Sequence, residues 1–261
     1  MPNTTATPLL RVRGITQRYG SRTVLRDISF DLWPGEVLAI VGESGSGKST
    51  LLNALAARHA PAAGSVEYRG RDGMAWDIHA LAEARRRVLA RTDWGFVHQS
   101  PADGLRMDVS AGANVGERLM GLGERHYGRL RSQAEDWLRR VEIDPIRIDD
   151  TPRTFSGGMR QRLQIARNLV TCPRLVFMDE PTSGLDVSVQ ARLLDLLRQL
   201  NRQMQLAVVL VTHDLAVARL LAHRMLVMQA GRVVESGLTD QVLDDPQHPY
   251  TQLLVSSVLQ P

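Results

Sequence analysis

The sequence predicts an α/β fold with three parts: a mainly parallel sheet with helices on both faces, an antiparallel β subdomain beside it, and an inserted α-helical subdomain. Three observations predict it. Short apolar runs such as EVLAIVG (36–42) and RLVFMD (174–179) alternate with longer amphipathic segments, the β/α pattern of a parallel sheet. The first two strand-like segments instead alternate apolar and polar residues, as strands with one wet face do. Residues 108–150 lose strand character altogether and read as helices, QAEDWLRRVEI among them.

The elements follow in order. Residues 9–18 and 23–32 read as antiparallel strands, and WPG at 33–35 is a turn. EVLAIVG is a strand buried on both faces that runs into a glycine loop, and residues 48–59 read as the helix after it. A strand near SVEYRG, a helix over 80–91 and a strand at 94–99 come next. After the helical insertion the alternation resumes. A helix spans 157–171, a strand 174–179, a helix 188–203, a strand 206–212 and a helix 214–222. Strands at 224–229 and 231–236 close the sheet. The expected organisation is a single domain over 1–261. Its core is formed by 1–100 and 155–261, and its helical subdomain by 101–154.

Composition narrows the function classes. The chain has 261 residues, 43% apolar and 23% charged, ordinary for a globular protein with a sizeable core. A net charge of +4 is small for this length and argues against a nucleic-acid partner. ARRR at 84–87 reads as a solvated helix face. The single cysteine, Cys172, excludes an intramolecular disulfide and reads as a partly buried thiol. The N-terminus lacks the pattern of a secretory signal, and no apolar run approaches membrane-spanning length. The expected compartment is the cytoplasm.

GESGSGKS, Gly42 to Ser49, fits G-x-x-x-x-G-K-[ST] and sits between a buried strand and a helix, as a phosphate cradle requires. Gly42, Gly45 and Gly47 let the backbone curl so that the N–H groups of Glu43, Ser44, Ser46 and their neighbours converge on one anion. The helix running on through Thr50 aims its positive end at the same place. Lys48 reaches the β and γ phosphates, and the Ser49 hydroxyl is placed to ligate Mg²⁺. Lys48 is the only lysine; the other 31 basic residues of the Lys+Arg count are arginine. A planar guanidinium suits a solvated surface, whereas a closed phosphate loop needs a compact ammonium.

LVFMDEP ends an apolar strand on two acids. Asp179 is placed to hold the Mg²⁺ shell, and Glu180 to orient or deprotonate an attacking water. In FSGGMRQR, Ser156 can cap a helix whose first residues, Gly157 and Gly158, leave N–H groups bare. That start reads equally well as a second anion site or as an ordinary capped helix.

Taken in order, Gly42–Ser49, Gln99, SGGM, LVFMDE, SGLD and His213 resemble an ABC-type ATPase domain, and the resemblance covers nearly the whole chain. It implies the P-loop NTPase (RecA-like) core of an ABC nucleotide-binding domain, with ATP and Mg²⁺ as cofactors. It also implies head-to-tail pairing of two cassettes, in which Ser156, Gly157 and Gly158 act in trans on the γ phosphate. By the same resemblance Tyr19 stacks on adenine and Gln99 senses Mg²⁺ and the partner protein. Asp186 lies in the loop crossing the dimer, and His213 contacts the γ phosphate. Met159 stands where the family usually has glutamine, and Phe155 where leucine is common. Both flank the Ser-Gly-Gly core, leaving the catalytic assignment in place.

The segments 98–120, 147–170 and 235–260 further resemble the ATPases of bacterial carbon–phosphorus lyase systems, which serve phosphonate utilisation. That resemblance implies a partner core complex of subunits G, H, I and J, with the related ATPase subunit L stacked on it. The tail DPQHPYTQLL also looks like that of dipeptide and oligopeptide importer ATPases, which work under a membrane permease. A clamp on DNA or ribosomes fits less well, because no long coiled coil and no tandem cassette is present.

Overall fold

A computed structural model describes residues 7–259; the reading of the N-terminus as free of a signal falls partly on residues 1–6, outside the described residues. In chain order the elements begin β1 (Leu10–Tyr19), β2 (Arg22–Leu32), β3 (Val37–Val41), α1 (Lys48–Leu55), β4 (Ala63–Arg69), β5 (Ala75–Asp77) and α2 (Glu83–Thr92). Next come β6 (Trp94–Val97), α3 (Pro101–Gly104), α4 (Ala111–Gly121), α5 (Tyr127–Arg140), α6 (Gly157–Leu169), β7 (Leu175–Asp179) and α7 (Val187–Met204). The chain closes with β8 (Ala207–Val211), α8 (Leu215–Leu221), β9 (Arg224–Gln229), β10 (Arg232–Leu238), α9 (Thr239–Asp244) and α10 (Pro249–Leu259). The chain forms two compact units. One joins the residues up to Arg86 to those from Gln205 onward; the other is Arg87–Met204.

The first unit holds two sheets. β1 pairs antiparallel with β2 and β4, and β5 extends the edge in the order β2-β1-β4-β5. Leu10, Val12 and Ile15 face its core while Arg13 faces water, the alternation read from the sequence. In the second sheet β3 lies between β8 and β9, parallel to both, and β10 closes it antiparallel to β9. VLAIV and AVVLV are buried at every position, as parallel strands covered on both faces must be. Below β3 and β9, Ala39, Val41, Met225 and Val227 pack with Leu215 and Ala218 of α8, Val242 of α9, and Tyr250 and Val255 of α10.

The helix expected over 48–59 stops at Leu55. Ala57 takes φ 55, and Arg58 N–H reaches back to the Asn53 carbonyl at 2.9 Å, a left-handed C-terminal cap that ends the helix a turn early. Three elements went unassigned from the sequence. β5 has only three residues, and α9 and α10 lie in the tail.

In the second unit β6 and β7 pair in parallel, with Trp94 edge-on to Phe177 at 6.1 Å between ring centroids. Between β6 and α6 the described chain is helical, with no strand. Side-chain amides of α6 secure β6 along its length: Asn168 Oδ1 accepts from Phe96 N–H at 3.0 Å, and Gln164 Oε1 from His98 N–H at 2.6 Å. Cys172 corrects the sequence reading. It is exposed, because the turn after α6 places it at φ 48 and turns its side chain outward. Among the described residues no helix is long and apolar enough to cross a membrane.

Candidate functional site

In the first unit the segment from Gly42 to Thr50 links the buried strand β3 to helix α1. Its glycines are required at two points. A Cβ on Gly42, at φ 144, would sit 2.2 Å from the Met228 carbonyl oxygen. On Gly47, at φ 105, it would sit 2.9 Å from Leu25 Cδ2 and 3.1 Å from the Val24 carbonyl oxygen. No side chain could be carried there without moving backbone. The loop is closed by the Ser46 N–H donating to the Glu43 carbonyl at 3.2 Å, and Gly231 N–H donates to the Ser46 carbonyl at 3.0 Å.

The charge of the cradle is positive. α1 begins with Gly47 at its N-cap, with no side-chain cap and no acidic residue in its first turn. Helices α4, α6 and α8 instead begin under the side-chain oxygens of Ser110, Ser156 and Asp214. The bare start of α1 carries the positive end of the helix dipole. Lys48 is buried, and its ammonium donates to the Gly42 carbonyl at 2.7 Å and to the Glu43 carbonyl at 2.8 Å. A buried cation needs such acceptors, since desolvating one without partners costs roughly several kcal/mol. The hydroxyl of Ser46, also buried, finds no partner among the described residues. An uncapped helix start, a buried ammonium and an orphaned hydroxyl together fit a polyphosphate.

Two more candidates belong to this unit. Tyr19 ends β1 at the hairpin to β2 and is 53% exposed, a free aromatic face. His213 is exposed just beyond β8 and before Asp214, whose carboxylate caps α8 through the Ala216 and Val217 N–H groups.

The other candidates lie in the second unit. Asp179 is the last residue of β7. Glu180 follows at φ 42, a left-handed conformation that non-glycine residues adopt at a cost of about 1 kcal/mol or more. Gln99, two residues beyond β6, is brought to it: its amide nitrogen lies 3.5 Å from Glu180 Oε2, at the outer limit of a hydrogen bond, and 3.2 Å from Ser183 Oγ. Ser156 Oγ accepts from Met159 N–H at 3.3 Å, so it caps α6. Gly158 is where α6 meets α7, for a Cβ there would lie 2.4 Å from Val189 Cγ1. A Cβ on Gly157 would lie 3.8 Å from Leu185 Cδ2, so Ser156–Gly158 lie beside the segment carrying Asp186. Asp186 is exposed, and its carbonyl accepts from Gln190 N–H at 2.8 Å as α7 begins.

Sequence reasoning missed the supports of these residues. Gln164 holds both sides of His98, its amide nitrogen donating to the His98 carbonyl at 3.2 Å, and so fixes the chain one residue before Gln99. The signal was present, a run of amides on the buried side of α6 in MRQRLQIARNL, but its partner lies 66 positions away. Tyr250 is the second, a tail residue whose hydroxyl reaches the Glu43 N–H in the loop between β3 and α1.

A family model described as ABC transporter matches residues 25–183. The chain belongs to the ABC transporter family. A second model, described as the C-terminal region of oligopeptide/dipeptide transporters, matches residues 234–261. The chain is 66% identical over 253 residues to the Escherichia coli (strain K12) "Putative phosphonates utilization ATP-binding protein PhnK", a match covering 97% of this chain and 98% of that protein. It is 36% identical to a Brucella ovis protein provisionally named as a peptide import ATP-binding protein, over 98% of this chain and 80% of the relative. Its fold matches the dimeric ATP-binding cassette MJ0796 in a post-hydrolysis state bound to ADP and Pi. The TM-score is 0.78 at 29% identity, covering 88% of this chain and 98% of that one. This ABC cassette is therefore an α/β ATPase of the P-loop fold with an antiparallel β subdomain, and it binds and hydrolyses ATP.

Among the described residues no group of three or more His, Cys, Asp or Glu side chains could hold an ion. Mg²⁺ commonly takes one or two carboxylates and completes its shell with water and substrate phosphates. The residues expected at the Mg²⁺, Ser49, Gln99 and Asp179, carry a hydroxyl, an amide oxygen and one carboxylate, donor types that such a shell would use.

Proposed function

We propose that this cassette is the ATPase subunit of a carbon–phosphorus lyase system for phosphonate degradation. It binds and hydrolyses Mg²⁺-ATP as a dimer, with itself or with a related cassette, to drive conformational change in a cytoplasmic lyase core of subunits G, H, I and J, with the related ATPase subunit L as a further partner. The observation that carries this reading is 66% identity over nearly the full length of both chains to a phosphonates utilization protein. The whole chain, 1–261, is then one ABC ATPase domain whose helical subdomain is 101–154.

In the proposed reaction the backbone from Gly42 to Thr50 and the Lys48 ammonium hold the phosphates, and Tyr19 stacks on the adenine. Ser49, Gln99 and Asp179 would hold the Mg²⁺, which would supply charge neutralisation at the transferred phosphoryl group. Glu180 orients and deprotonates the attacking water, and His213 holds the γ phosphate. Ser156, Gly157 and Gly158 close over the γ phosphate held by the paired cassette, with Asp186 in the crossing loop. ATP bound in this way joins two cassettes, and hydrolysis releases them. The chain works as a clamp and does not itself cleave the carbon–phosphorus bond; it has no cysteine cluster for radical chemistry.

A second reading has its own observation. The match of residues 234–261 to the C-terminal region of oligopeptide/dipeptide transporters favours an importer ATPase docked on a membrane permease.

Glu180→Gln tests the catalytic reading. The variant should bind ATP, lose turnover by about 100-fold or more, accumulate as an ATP-bound dimer, and fail to support growth on a phosphonate as the phosphorus source. Growth on phosphate should be untouched. Normal ATP turnover in Glu180→Gln would remove Glu180 from the reaction; normal growth on phosphonate would remove ATP hydrolysis from the pathway.

A further inference from the structure

The C-terminal tail is built around one carboxylate. Glu235 stands at a register break between β10 and β9, and its two oxygens accept from the N–H groups of Gln247 at 2.8 Å and His248 at 3.0 Å. His248 Nδ1 accepts in turn from Tyr250 N–H at 3.1 Å. Pro249, with its fixed φ, opens α10. These ties fix where the first turn of α10 begins, and so where the Tyr250 side chain leaves it.

Tyr250 is only 7% exposed, packed in the apolar cluster that includes Ala39 and Val41 of β3, the strand that feeds the phosphate loop. Its hydroxyl accepts from Glu43 N–H at 3.0 Å. That N–H and the Gly42 carbonyl belong to one peptide unit, and the Gly42 carbonyl receives the Lys48 ammonium at 2.7 Å. One rigid plane is thus held at both ends, by the tail at its N–H and by Lys48 at its oxygen. The plane follows Gly42, the residue whose backbone is freest to rotate. Without an external tie this is where the loop would lose its shape.

We propose that Tyr250 is a positioning residue for ATP binding: from the C-terminal helix it sets the Gly42–Glu43 peptide, and through it the carbonyl that aims Lys48. This rests on the reading of Gly42–Ser49 as the ATP phosphate loop. Tyr250 lies within the segment matched as the C-terminal region of oligopeptide/dipeptide transporters, and its contact with Glu43 gives that tail a task at the nucleotide.

The test uses the full chain with Mg²⁺ and ATP. Tyr250→Phe keeps the buried ring and removes only the hydroxyl. ATP affinity by direct titration should weaken about three- to tenfold and KM should rise with it, while kcat stays within about twofold, the loss of one neutral hydrogen bond that orders the loop. Val255→Ala loosens the same helix in the same cluster without touching the hydroxyl. It should lower the melting temperature and leave ATP affinity unchanged. Wild-type affinity in Tyr250→Phe would overturn the inference. So would an equal loss of affinity in Val255→Ala, which would make the effect general destabilisation. Lys48→Ala separates the two claims. If it binds ATP like the wild type, the loop assignment fails and the inference falls with it. If it loses ATP while Tyr250→Phe does not, the positioning role alone fails.

Discussion

Lys48 shows what a buried position demands of a side chain that the surface does not. Elsewhere the sequence uses arginine for every permanent positive charge, and many of these arginines form exposed pairs such as Arg131–Asp149 and Arg153–Asp108. Lys48 is buried and bonded to two loop carbonyls at 2.7 and 2.8 Å, a space for a compact head with three donors. Lys48→Arg keeps the charge and changes the shape. It should reduce ATP turnover roughly 100-fold, the scale of a lost donor to a developing oxyanion, measured by phosphate release. Near-normal turnover would show that charge alone suffices. The loop was legible because its information is contiguous: strand, glycines, lysine and helix follow one another in sequence. Tyr250 was not, because its partner Glu43 is 207 positions away. Cys172 was misread for the complementary reason. Its apolar neighbours suggested burial, and only the left-handed turn that exposes it decides the matter.

At the scale of elements, strands and helices that carry the candidate residues follow the sequence pattern closely, since apolar periodicity sets them. The contacts between elements do not follow from it. Gly158 is one such contact, reading as a helix start in sequence but touching Val189 of α7 in the fold. Gly158→Ala would push α6 from α7 and should cost about 1–3 kcal/mol of stability, as overpacking does, read by urea unfolding. An unchanged midpoint would mean that Val189 yields freely. The tail gives a second test. Burial raises the Glu235 pKa, but the N–H groups of Gln247 and His248 outweigh it and hold the carboxyl below its ordinary 4.5. A lowered folded pKa means that Glu235 stabilises the fold fully above that ordinary value and ceases to as the pH falls through the folded one. Glu235→Gln should therefore be less stable than wild type at neutral pH and lose less on acidification below 4.5, so that the two melting curves converge in acid. Parallel acid limbs would show that Glu235 does not titrate on unfolding.

At the scale of the molecule, the proposed ligands are drawn from both compact units. The phosphate loop, Tyr19 and His213 come from the first, and Gln99, Asp179, Glu180 and Ser156–Gly158 from the second. In the proposed function ATP turnover drives movement, and movement needs something to act on. The nucleotide residues do not name that partner. The proposed partner rests instead on two other stretches, by their resemblance to carbon–phosphorus lyase ATPases: the segment after Gln99, and the tail, whose α10 packs in one cluster with β3. The most direct measurement is affinity purification of the tagged chain from its own cells grown on a phosphonate as the phosphorus source, with the bound proteins identified by mass spectrometry. Recovery of the soluble carbon–phosphorus lyase subunits is expected; recovery of a membrane permease in their place would contradict the proposed function.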